Sequence, residues 1–224
     1  MMPGSLVHTH AVPLETAPYL VQSARWPSAG AHILAHHDSE TVLVYQAYRP
    51  STGRYAIEHG HLGGPEFSLN RMSWIKPNFL WMMYRSGWGS KEGQESILGL
   101  RISRSFFDGL LQAAVASTFN PLLYPSREVW AEAVAQSDVR LQWDPDHAPS
   151  GARLERRAVQ LGLRGATLAA FAKEQILEVI DMSSFVAAQR PYAQDDNGAL
   201  CTPLEHVYVQ KALENQLSVE VSDE

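Results

Sequence analysis

The chain holds a single cysteine, Cys201. An internal disulfide is therefore impossible, and a zinc site built on thiolates is excluded. Long apolar runs are missing as well, and the uncharged block Pro77 to Tyr84 is far too short to span a bilayer. No P-loop, GxGxxG, GxSxG or HExxH pattern occurs. Met1 to Val12 has neither a basic start nor a continuous apolar core, so no secretory signal is expected. These absences lead to the expectation of a cytoplasmic protein that does not enter membranes. What is present is ordinary for a compact domain: 224 residues, 45% hydrophobic and 19% charged. The net charge of −6 gives the surface as a whole no leaning towards nucleic acid.

Local patterning divides the chain into three parts. Residues 1–30 are punctuated by Pro3, Pro13, Pro18 and Pro27 and hold no lasting period, so they read as an irregular extension, a tail or a partly docked segment. Residues 31–212 read as one α+β domain with a mixed, mostly antiparallel sheet of short strands and several helices. Residues 213–224 form an acidic tail. Within the domain, Thr41 to Tyr48 is apolar on both faces and predicts a strand buried on both sides. Arg49-Pro50 and Thr52-Gly53 predict a turn after it. Met72 to Lys76 reads as a second strand, with Pro77 opening a helix that runs to about Arg85. Ile97 to Ser103 gives a third strand, and Phe106, Leu110 and Ala114 give a helix behind it. Ser126 caps another helix. Val139 to Asp144 and Ala158 to Leu163 alternate as strands, and Thr167 caps a helix carried through Ile176 to Val179.

The segment with most chemical content is Arg71 to Lys91, RMSWIKPNFLWMMYRSGWGSK. It carries Arg71, Lys76, Arg85 and Lys91 with no acid, and three of the six tryptophans, in a chain that is acidic overall. Cations interleaved with flat rings suit a phosphate-bearing ligand with a planar base. Packing of the rings into a core, with the cations as a solvated rim, is the other reading. Trp81 and Arg85 share a helix face. On the first strand Gln46 is surrounded by apolar residues, where an unpartnered amide costs about 1–3 kcal/mol. It is either bonded to its neighbours or aimed into a cleft, and alternation places Tyr48, not Tyr45, beside it. Arg140, Gln142 and Asp144 occupy one strand face, and Gln160 joins them if the two alternating segments pair. Such a face would bind a ribose or phosphate, or else simply meet solvent. His36-His37 and His59-Gly-His61 lack the spacing of a metal triad, and no metal is expected.

The runs VYQAYRP, RMSWIKPNFLWMMYRSGWGSK, VRLQWDPDH and RRAVQLGLRG closely resemble the family called domain of unknown function 4291, over roughly residues 25–190. The end segment PLEHVYV, with Glu205 and Tyr208, is similar to that family's close. A looser resemblance, in the order of blocks, is to the ADP-ribosyltransferase fold. It implies NAD as cofactor, with Gln46 or Tyr48 at the nicotinamide end. Ser73, Trp74 or Lys76 would stand on the second strand, and Glu205 would be the catalytic carboxylate on a late strand. The chain has Gln46-Ala47-Tyr48 where that class carries its first signature residue. With Arg49, Trp81 and Arg85, these residues make up the expected nucleotide site, and Arg140, Gln142, Asp144 and Gln160 the expected substrate site. The competing expectations are a non-catalytic module for RNA or single strands built on Trp74, Trp81, Arg85 and Arg140, and an interaction domain whose rings are all core.

Overall fold

The computed structural model describes residues 14–194 and 198–210. Residues 1–13 of the expected extension and the expected tail at 213–224 lie outside these. The chain opens with β1 (Thr16–Pro18), α1 (Tyr19–Ser23), β2 (Gly30–Ala31) and β3 (Leu34–Ala35). Strand β4 (Thr41–Tyr48) follows, and it is buried on both faces: Val42 and Val44 enter one apolar cluster, Leu43 and Tyr45 the other. Helix α2 (Pro50–His59) occupies the place where a turn was expected. Pro50 sits at its first position, where its missing N–H costs nothing. Gly53 signals packing instead of a bend, since a Cβ there would collide with Ser96.

Strand β5 (Ser73–Ile75) leads into α3 (Phe79–Ser86), which is capped by Asn78 rather than entered at Pro77. The Asn78 Oδ1 accepts from the Trp81 N–H at 2.7 Å. Gly87, in the left-handed region at φ 58°, closes the helix. Next come β6 (Ser96–Ser103), α4 (Arg104–Ala113), β7 (Val115–Ala116) and α5 (Arg127–Gln136), with Ser103 and Ser126 as side-chain caps of the two helices. The long hairpin of β8 (Val139–His147) and β9 (Arg153–Leu163) then forms. The single helix expected from Thr167 to Val179 is instead α6 (Gly165–Ala170), a π turn over Phe171–Gln175 and strand β10 (Ile176–Asp181). Ile176, Val179 and Ile180 fit a helical stripe and a two-sided strand equally, and the free edge of β6 takes them as a strand. Helix α7 (Ser183–Gln189), a short 3-10 turn, β11 (Cys201–Pro203) and β12 (His206–Val207) complete the described chain.

The fold is α+β, with mostly antiparallel pairing. Strands β10, β6 and β4 make one sheet, and β8 and β9 carry β5 and β2 in another. The two meet at a seam where Tyr45 and Lys76 exchange backbone hydrogen bonds of 2.7 and 3.2 Å. Across it the order is β8-β9-β5-β4-β6-β10. While β2 pairs with β9, residues 16–26 dock against the far end of the chain. There β1 pairs with β11, Gln22 donates to Thr202 Oγ1 at 2.8 Å, and the Trp26 indole donates to the Glu205 carbonyl at 2.9 Å. Among the described residues no helix is long and apolar enough to cross a membrane.

Candidate functional site

The seam places Lys76 at the junction of two hollows. One, of about 570 Å³, is bordered by Gln46, Tyr48, Arg49, Arg71 and Ser73. The other, of about 500 Å³, is bordered by Trp81, Tyr84, Gln142, Asp144 and Gln160. Trp74, Lys76 and Arg85 line both. Eleven of the residues singled out in the sequence, from four separate segments, border one or both hollows: Gln46, Tyr48, Arg49, Ser73, Trp74, Lys76, Trp81, Arg85, Gln142, Asp144 and Gln160.

The floor of the first hollow is a closed hydrogen-bond chain. The Gln46 amide donates to Ser73 Oγ at 2.7 Å and to the Trp74 carbonyl at 3.2 Å, and its oxygen accepts from the Tyr48 hydroxyl at 2.8 Å. Gln46 thus both lines the cleft and is satisfied within it. It ties β4 to β5. Burial pushes the Tyr48 phenol up to about 12, so it stays a donor at ordinary pH. Arg49 is drawn aside at the exposed rim, where it pairs with Glu66 at 2.7 Å. Gly162, opposite Trp74 on β9, lacks the side chain that would strike the Met72 sulfur and the Trp74 ring, so the indole lies across the strand.

The second hollow has an aromatic wall and a carboxylate. Trp81 and Tyr84 form that wall and stack with the buried His147, which does not itself border the hollow. The three rings lie within 13° of parallel, with Tyr84 and His147 centroids 3.5 Å apart. Facing them, Asp144 accepts from Gln142 Nε2 and from Gln160 Nε2, each at 2.8 Å. The β8–β9 register sets Gln142 opposite Gln160, which is why the expected pairing of these residues forms. The two amides fix the orientation of this carboxylate.

Lys76 is 6% exposed. Its Nζ donates to the Trp74 carbonyl at 3.3 Å, and no carboxylate among the described residues lies within ion-pair distance of it. Burial, then the charge of Arg85, pulls its ammonium down to about 8, with Asp144 opposing. Arg71 and Arg85 stand exposed at the rim.

Two candidates lie elsewhere. Arg140 donates to the carbonyls of Ser137 at 2.9 Å and Val139 at 3.3 Å, and also to that of Val134. The last carbonyls of α5 attract a cation, and this pulls Arg140 off the face it shares by alternation with Gln142. Glu205, 2% exposed, is enclosed at the start of α3 and borders neither hollow. Its Oε1 accepts from the Phe79 N–H at 2.7 Å and its Oε2 from Asn78 Nδ2 at 3.1 Å. Burial pushes this carboxyl up to about 8. Asp144 borders the second hollow, while Glu66 and Glu92 border the first. Sequence reasoning passed over Tyr84 and His147. Tyr84 is three residues from Trp81 and was legible by helical spacing, whereas His147 arrives only through the hairpin. Among the described residues no group of three His, Cys, Asp or Glu side chains is placed to hold a metal ion.

A family model described as Domain of unknown function (DUF4291) matches residues 32–208, and the chain belongs to that family. No curated protein matches the chain.

Proposed function

We propose that this member of the DUF4291 family binds a dinucleotide, NAD, across its seam and transfers the ADP-ribose part to an acceptor in nucleic acid or protein. The observation that carries this reading is the shared wall of Trp74, Lys76 and Arg85 between two hollows. A dinucleotide has two flat ends joined by a pyrophosphate, and it needs two chambers with cationic charge between them. Each chamber is of a size that suits half of such a ligand. Lys76 and Arg85 would meet the pyrophosphate, Trp74 would cover a ribose or base, and the Trp81–Tyr84 wall would stack the second ring.

Breaking the nicotinamide–ribose bond builds positive charge on the ribose carbon, which a fixed carboxylate stabilises. In this reading Asp144 takes that role, because it borders the cleft and its two amide partners hold it oriented there. Glu205 does not, since it is enclosed and bonded to the backbone of α3. Incubation of the protein with NAD and pools of nucleic acid or protein is expected to release nicotinamide. Asp144→Asn is expected to abolish release and Glu205→Gln to retain it in the folded protein. An absence of NAD binding in a calorimetric titration overturns the reading. The expected setting is the cytoplasm.

A second reading, a module that binds RNA or single strands without turnover, draws support from the exposed Arg71 and Arg85 beside Trp74. It loses Arg140, whose guanidinium is taken up by backbone carbonyls. It predicts strand binding that weakens steeply with salt, with nicotinamide release absent.

A further inference from the structure

The environment of Lys76 is poor for a cation and good for a nucleophile. A buried ammonium is costly unless it is paired, and here its one protein acceptor is a backbone carbonyl at 3.3 Å. The guanidinium of Arg85 adds like charge from α3, and the nearest carboxylate in the hollow, Asp144, is occupied by Gln142 and Gln160. Yet the amine is not sealed away, because its side chain borders both hollows. Desolvation beside a second cation is the arrangement that frees a lysine amine to attack carbonyl carbon. The same arrangement draws anions, since Arg85 has no carboxylate partner among the described residues.

We propose that Lys76 forms a reversible imine with a small phosphate-bearing aldehyde, such as an open-chain sugar phosphate, whose phosphate rests on Arg85. The Nζ lone pair attacks the aldehyde carbon to give a carbinolamine. Both hydrogens of the neutral amine then leave with the carbonyl oxygen as water, and a C=N bond remains. Nothing is oxidised or reduced, and hydrolysis reverses the step. The downward displacement of the ammonium to about 8 raises its neutral fraction to about a tenth at pH 7. This inference does not require the NAD reading. It asks only for a phosphate and an aldehyde within the cleft.

The chain has four lysines, Lys76, Lys91, Lys173 and Lys211, so the site of reaction is simple to map. The full-length protein is incubated with pyridoxal 5′-phosphate or ribose 5-phosphate, reduced with borohydride, and mapped by peptide mass spectrometry. The expected result is one dominant adduct, on Lys76, with the mass of the probe less one oxygen atom. Reaction should be about tenfold faster or more with pyridoxal 5′-phosphate than with pyridoxal, the factor that a charge-assisted phosphate contact supplies. Arg85→Ala should erase that preference. Lys76→Arg, which keeps the charge, should remove the adduct while circular dichroism shows an intact fold. Labelling spread evenly over the exposed lysines, or equal rates for the two pyridoxal probes, overturns the proposal. A parallel NAD titration keeps the two readings apart: adduct formation without NAD binding removes only the dinucleotide reading, and NAD binding without an adduct removes only the imine.

Discussion

Lys76 and Glu205 flank the first turn of α3, and burial drives both towards about 8 from opposite directions. Their surroundings differ in one respect. Glu205 accepts from the Phe79 N–H and the Asn78 amide beneath the docked residues 16–26, so it is partnered and enclosed. Lys76 has a single carbonyl partner and opens on two hollows. Burial sets the size of the shift, whereas access decides whether the shifted group meets a ligand. One end of the seam braces the helix, and the other opens on the two hollows.

The comparison is broken most directly by removing each side chain in turn. Lys76→Met combined with Arg85→Ala is expected to weaken NAD binding by about 100-fold, from two lost charge-assisted contacts, with the unfolding midpoint unchanged or raised because a buried ammonium is removed. Tryptophan fluorescence titration reads this, since Trp74 and Trp81 line the site. Glu205→Ala is expected to do the reverse. It leaves two buried donors unsatisfied and should cost about 2–4 kcal/mol in urea unfolding, with NAD affinity in the folded protein within about twofold of the parent. A Glu205→Ala protein of parental stability that no longer binds NAD would exchange the two roles.

pH sharpens the contrast. The Glu205 carboxyl is raised in the folded state, so its contribution to stability is full below about 4.5, the ordinary glutamate value, and is lost as pH rises through about 8. Glu205→Gln should flatten the stability profile over that interval. Lys76 is lowered instead, so its burden on the fold is present below about 8 and is relieved as pH rises towards 10.5. NAD affinity should therefore fall severalfold as pH passes 8, and Lys76→Met should make it flat there. The smallest effect belongs to Arg140→Ala, which should change affinity by less than about twofold while lowering stability, because its partners are the backbone carbonyls of Val134, Ser137 and Val139 where α5 passes into β8.

Much of the site was legible because its signals are local. The cation-and-ring block from Arg71 to Lys91 pointed to Trp74, Lys76, Trp81 and Arg85, and alternation put Gln46 with Tyr48 and Gln142 with Asp144. The errors arose where one residue pattern serves two structures. Thr52-Gly53 has the composition of a turn, yet Gly53 is small because Ser96 packs against it. Ile176 to Ile180 satisfies both periods, and the open edge of β6 chose. Glu205 looked like a cleft carboxylate because a glutamate near the end of the chain gives no sign of what will enclose it.

Periodicity and capping chemistry are properties of neighbours along the chain, so the sequence alone determined that β4 is buried on both faces and that Ser126 starts a helix. The tertiary structure decided that the Tyr45–Lys76 bridge joins two sheets, that the β8–β9 hairpin carries Asp144 to face Lys76, and that Glu205 is shut away. The physical reason is that a side chain's solvation and partners come from segments distant in sequence, and these alone determine whether a charge is a brace or a reactive group.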